Sequence, residues 1–99
     1  MNIKKHLTIK ETLRLAIQNH NEKKFDIAKE LYQKVLKIDP NHLGAHNNLG
    51  VIFIKLNEYL KAIDCFEKVI EINPDFLSAY NNLGIILHRQ NRFSEAETN

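Results

Sequence analysis

His42 and His46 stand four residues apart, the spacing that sets two imidazoles on one helix face where a zinc ion could bind. No third ligand is evident nearby, and His42 falls where a connecting turn is expected. The pair is read as a place for adventitious metal at most. Cys65 is the one thiol. A reactive thiolate needs a basic neighbour or a His/Asp arrangement to activate it. None surrounds Cys65, so it is read as a packing cysteine. A single cysteine also excludes an internal disulfide, which fits a reducing, cytoplasmic setting. The chain shows no phosphate-cradling glycine loop, nucleophile elbow or paired carboxylates. The expectation is a protein that is not an enzyme and carries no cofactor.

What remains is a set of amides. AHNNLG (Ala45 to Gly50) returns 34 residues later as AYNNLG (Ala79 to Gly84). A side-chain amide has both donors and an acceptor, so it can pair with the N–H and C=O of an extended peptide. Such a contact reads main chain rather than side-chain sequence. The question is which elements hold Asn47, Asn48, Asn81 and Asn82 in place.

The 34-residue interval runs through the whole chain. Leu15, Leu49 and Leu83 match, and after them the small residues Ala16, Gly50 and Gly84. Phe25, Tyr59 and Phe93 follow as aromatics, then Ala28, Ala62 and Ala96, then Tyr32 with Phe66, then Pro40 with Pro74. Apolar residues recur at helical spacing twice in each unit, as in Leu49, Ile52, Phe53, Leu56 and again in Tyr59, Ala62, Ile63, Phe66, Val69, Ile70. Asn57-Glu58 interrupts the pattern between them, and asparagine tolerates the left-handed conformation common at helix ends. Asp39-Pro40 and Asn73-Pro74 close the units, since proline disfavours helix in the residue before it. Thr8 and Glu11 form a capping-box pair that predicts the start of the first helix. Gly50 and Gly84 sit inside helices at a cost of about 1 kcal/mol relative to alanine. Close approach of a partner helix is the expected reason, with Ala62 and Ala96 as the contacts.

These residues carry a resemblance. The period of 34, the helix–turn–helix unit and the Leu-Gly, aromatic, Ala, aromatic, Pro pattern resemble the tetratricopeptide repeat. The NNLG units look like those of O-linked N-acetylglucosamine transferases and bacterial repeat arrays. The resemblance implies an all-α, right-handed superhelical α-solenoid of about two and a half repeats. The units are an N-terminal tail over 1–8, repeats over 9–42 and 43–76, and a truncated third over 77–99 comprising one helix and the start of a second. The family's usual tryptophan is replaced by Thr12, His46 and Tyr80, and its usual turn glycine by Lys23, Asn57 and Asn91.

The resemblance also implies which positions line the concave groove. They are Lys10, Leu13, Arg14, Ile17, His20 and Asn21 in the first unit. The second gives Gly44, Asn47, Asn48, Val51, Ile54 and Lys55, and the third Ser78, Asn81, Asn82, Ile85, His88 and Arg89. None of the 12 acidic residues is among them, so a chain of net charge +2 is expected to carry a basic groove. His20 and His88 are too far apart to form one ligand set. Asn48 and Asn82 would make two rungs of a peptide-binding ladder over a floor of Ile17, Val51 and Ile85, with Arg14 in place of a third. The clamp of two Lys, two Asn and an Arg by which co-chaperone repeats grip a terminal carboxylate falls here on Leu13, Ile17, Asn48, Ser78 and Asn82. Only Asn48 agrees, so that mode is set aside.

Leu83, Ile86, Leu87 and Phe93 lie in a unit whose second helix is cut short, and repeats bury their faces only against neighbours. Self-association there, as a homo-oligomer or by helix exchange, is expected. The partner in the groove is expected to be protein or peptide. Near-neutral charge gives no ground for nucleic acid or membrane, and no apolar run approaches a spanning helix. Alternatives are the N-terminal recruiting region of a larger glycosyltransferase or sulfotransferase, and an assembly scaffold.

Overall fold

A computed structural model describes the backbone of residues 2–98 and the side chains of residues 8–91. The described chain holds five helices, α1 (Asn2–Asn21), α2 (Phe25–Ile38), α3 (Leu43–Lys55), α4 (Tyr59–Ile72) and α5 (Leu77–Thr98). Each packs chiefly on the next in sequence, and α3 also touches α5. The result is an all-α solenoid of helix–turn–helix units.

The repeat reappears in the hydrogen bonds. Lys23 and Asn57, 34 residues apart, adopt positive φ of 62° and 61°. After each, a residue reaches back five positions: the Lys24 amide donates to the Asn19 carbonyl and the Glu58 amide to the Phe53 carbonyl, both at 2.8 Å. Lys23 and Asn57 themselves donate to His20 and Ile54. These are paired bonds of the Schellman kind, satisfying carbonyls that a helix end leaves open. Between units, the Asp39 carboxylate accepts from the Asn41 amide at 3.2 Å, and the Asn73 side chain accepts from Asp75 at 3.1 Å. His46 donates to the Pro40 carbonyl at 2.7 Å, and Tyr80 donates to the Pro74 carbonyl at 2.9 Å. Two of the residues replacing the family's tryptophan, His46 and Tyr80, thus fasten the second and third units to the turns before them.

The core follows the same register. Ala28, Tyr32 and Val35 of α2 are fully buried, as are Ala62, Phe66 and Val69 of α4. From α3 come Ala45, Leu49, Ile52, Phe53 and Ile54, and from α5 Ala79 and Ile86. A Cβ added to Gly50 would lie 2.7 Å from Phe66 Cζ, closer than carbon atoms pack. The glycine therefore makes room for the Phe66 ring, whose atoms lie nearest to it, on the same helix as the expected contact Ala62. Ala96 lies outside the residues whose side chains are described.

Two expected boundaries move. α1 begins at Asn2, so Thr8 lies within the helix and the expected tail over 1–8 is largely helical. Asn2 to Leu7 hold no proline or glycine, and extending a formed helix is easier than starting one. α5 runs unbroken to Thr98, and the turn expected near Asn91 does not form.

Candidate functional site

The asparagines sit on α3 and α5 at unequal depth. Asn48 and Asn82 are half-buried, Asn47 is half-buried and Asn81 is exposed. The Asn47 Oδ1 is closed off from solvent with no hydrogen-bond partner. Val51 is half-buried beside them, while Ile17 and Ile85 are 45% and 44% exposed. Ile54, expected in the groove, is 5% exposed and belongs to the core.

The charges are less one-sided than the sequence implied. Arg14 Nε donates to Glu11 Oε2 at 3.3 Å, and its Nη2 donates to Oε1. That bond and the charge of Arg14 hold the Glu11 carboxyl below its usual range. An acidic residue three positions earlier on α1 therefore partners the arginine where the third rung would stand. Lys10, Lys55 and Arg89 are exposed. Lys55 lies close enough to His20 to act on it: burial first, then the Lys55 charge, pushes the imidazole below its ordinary value. His20 is consequently neutral at physiological pH. Its ring stands edge-on to Phe25 at 5.9 Å and to Tyr32 at 6.3 Å.

Tyr32 is the residue that the groove positions did not include. It is fully buried, and its hydroxyl makes no hydrogen bond of ordinary geometry. Burial raises its pKa, and the Asn48 side chain acts against that rise. The signal available in the sequence was the contrast of Tyr32 with Phe66 at matching places in two units.

The candidates for chemistry are occupied in structural roles. His42 caps α3, its Nδ1 accepting from the Ala45 amide at 3.0 Å, while His46 is bonded to Pro40. Among the described residues no three His, Cys, Asp or Glu side chains come together as a metal site. Cys65 is buried, and desolvation followed by the Asp64 charge pushes its thiol up to about 12. No helix, among the described residues, is long and apolar enough to cross a membrane.

The outer face of α5 is open. Leu77, Tyr80 and Leu87 are 75%, 46% and 59% exposed, and a Cβ on Gly84 would meet nothing within 4 Å among the described residues. Leu83 is half-buried against the core. Ile86 is fully buried, a correction to its expected place on this face: it points with Ala79, seven residues earlier, toward the inner helices. Phe93 lies outside the residues whose side chains are described.

Tetratricopeptide repeat profiles match residues 13–42, 44–76 and 65–98. No curated protein matches significantly. Among solved structures, a crystal structure of MamA superposes with a TM-score of 0.81 at 24% identity, over 91% of this chain and 53% of that one. The C-terminal TPR-containing domain of a Plasmodium falciparum FK506-binding protein gives 0.80 at 29% identity, over 97% and 62%. The TPR2B domain of yeast Sti1, in a complex with pHsp70, gives 0.81 at 20% identity, over 91% and 72%. The chain spans about half the length of the MamA structures it matches.

Proposed function

The chain belongs to the tetratricopeptide-repeat family, and from that premise we propose that it is a protein-interaction module holding an extended peptide segment of a partner along its concave face. The observation that carries the reading is the recurrence of Asn48 and Asn82 on α3 and α5, both half-buried. The fold does not demand amides there, since α1 has Arg14 at the same place. Half-burial leaves each amide an edge for main-chain N–H and C=O groups while its neighbours restrict it. Ile17, Val51 and Ile85 supply apolar floor, and Lys10, Lys55 and Arg89 favour a partner of acidic character. Because Glu11 engages Arg14, the basic character is concentrated toward α3 and α5. The related fold of yeast Sti1 in a complex with pHsp70 accords with this use. Replacing Asn48 and Asn82 together by alanine strongly weakens capture of the partner from native cell extract while helicity by circular dichroism is unchanged. Undiminished capture refutes the ladder.

A second role is favoured by a separate observation, the bare Gly84 on α5. Its equivalent Gly50 is filled by the Phe66 ring, whereas Gly84 has nothing against it among the described residues, and Leu77, Tyr80 and Leu87 line the same stripe. This face serves self-association, with a helix of another copy supplying the missing side chain. Sedimentation should show a mass that rises with concentration and reverts to the monomer in Leu87→Lys. A single monomeric species across that range refutes it.

A further inference from the structure

We propose that Tyr32 is a positioning residue of the groove, its buried hydroxyl taking one N–H of the Asn48 amide so that Oδ1 and the second N–H face a bound main chain. The proposal rests on the groove reading above. Tyr32 is wholly enclosed, and its hydroxyl has neither solvent nor a well-formed hydrogen bond. A buried hydroxyl so placed is costly and calls for an account. The fold does not require it, because the residue 34 positions later, equally buried, is Phe66.

Asn48 lies on α3, which packs on the α2 that carries Tyr32, and it is only half-buried. Its amide is the polar group that acts on the Tyr32 hydroxyl, opposing the upward push of burial on the phenol. An amide stabilises the phenolate side by donating toward its oxygen. Asn48 has two N–H donors and one carbonyl, so giving one N–H to Tyr32 leaves a donor and an acceptor side by side. The Tyr32 hydroxyl has no hydrogen-bond partner of ordinary geometry, and rotation about the soft terminal torsion of Asn48 would bring an N–H to it. His20 stands edge-on to the Tyr32 ring at 6.3 Å and 86°, which backs the ring from α1. For Asn82, the other rung, the residue at the place matching Tyr32 is Phe66, which carries no hydroxyl. The two rungs are therefore unequal: Asn48 is preset, whereas Asn82 loses side-chain freedom on binding.

The test uses the full chain in two readouts. In ¹⁵N correlation spectra, Tyr32→Phe shifts the Asn48 side-chain amide pair and speeds its exchange with solvent, while the Asn82 pair stays in place. In titrations with a fluorescein-labelled decapeptide of alternating Ser and Asp, Tyr32→Phe weakens binding about three- to tenfold, the value of one ordinary hydrogen bond. In an Asn48→Ala background the same substitution has no further effect. Phe66 shows that a plain ring packs at this place, and circular dichroism confirms that the variant is folded. An Asn48 amide pair that does not move overturns the proposal, as does equal weakening in both backgrounds. If the wild-type chain does not bind the decapeptide, the groove reading is at fault for that ligand class, and the Asn48 resonances decide the positioning role on their own.

Discussion

Alanine at Gly50 and at Gly84 has opposite effects on stability, although the two glycines hold the same place in the repeat. Each substitution gains about 1 kcal/mol from helix propensity. At Gly50 the new Cβ lies 2.7 Å from Phe66 Cζ, 2.9 Å from Cε1 and 3.0 Å from Cε2. Phe66 is fully enclosed, so its ring has no free space into which to turn. Overpacking of this kind costs about 1–3 kcal/mol and occasionally more. A ring held on three atoms belongs at the upper end, which leaves a net loss of about 2 kcal/mol once the propensity gain is subtracted. At Gly84 nothing lies within 4 Å among the described residues, so the gain of about 1 kcal/mol stands alone. The two variants thus differ by about 3 kcal/mol, or roughly 12–24 °C in Tm for a domain of this size. Urea unfolding at micromolar concentration, followed by circular dichroism, measures both, and equal m-values show that the unfolded states are comparable. The reasoning is refuted if Gly50→Ala is neutral or if Gly84→Ala destabilises the monomer. Loss of stability in Gly84→Ala only at high concentration would instead mark close packing of a second copy on that face.

Other consequences are read more simply. Lys23 pays for a left-handed φ of 62° with an ordinary side chain, so Lys23→Gly stabilises by about 1 kcal/mol, seen as a higher urea midpoint; an unchanged midpoint counts against this. His20 has its pKa depressed by burial and by Lys55, so below its ordinary value of 6.5 the unfolded chain takes up a proton that the folded chain resists. Stability is whole above that pH and falls as pH drops through it. NMR titration should place the His20 midpoint below 6.5, and His20→Gln should flatten that part of the stability profile. Cys65, buried with a thiol raised to about 12, should resist labelling by a thiol reagent in the native state and react fully in urea. Rapid native labelling would mean that α4 opens locally.

The repeat was legible because it is written several times in residues with strong local consequences. The Asx-Pro pairs, the turns at Lys23 and Asn57, and the alternation of Ala28-Tyr32 with Ala62-Phe66 all returned as hydrogen bonds or buried contacts. Helix ends without a breaker were less so. Nothing at Asn2 to Thr8 stops a helix, and Asn91, with neither glycine nor proline beside it, does not by itself end one. Gly50 was recognised as a close approach of α4, but that the Phe66 ring lies nearest to it was not, since ring orientation across two helices is not a property of spacing. The pairing of Arg14 with Glu11 escaped a survey of groove positions taken unit by unit, because a salt bridge three residues apart joins a groove position to its neighbour. Tyr32 escaped for a related reason. Its hydroxyl matters through Asn48, a residue of the next unit, and comparing like with like along the repeat passes over contacts between units.

The central claim is that the groove reads main chain through Asn48 and Asn82. Its most direct measurement is the affinity of the labelled Ser-Asp decapeptide for the wild-type chain and for Asn48→Ala/Asn82→Ala, with helicity monitored in parallel. Two hydrogen-bonding amides removed together predict a loss of roughly tenfold to a hundredfold, with an unchanged helical spectrum. Equal affinity in the wild-type and doubly substituted chains would contradict the claim.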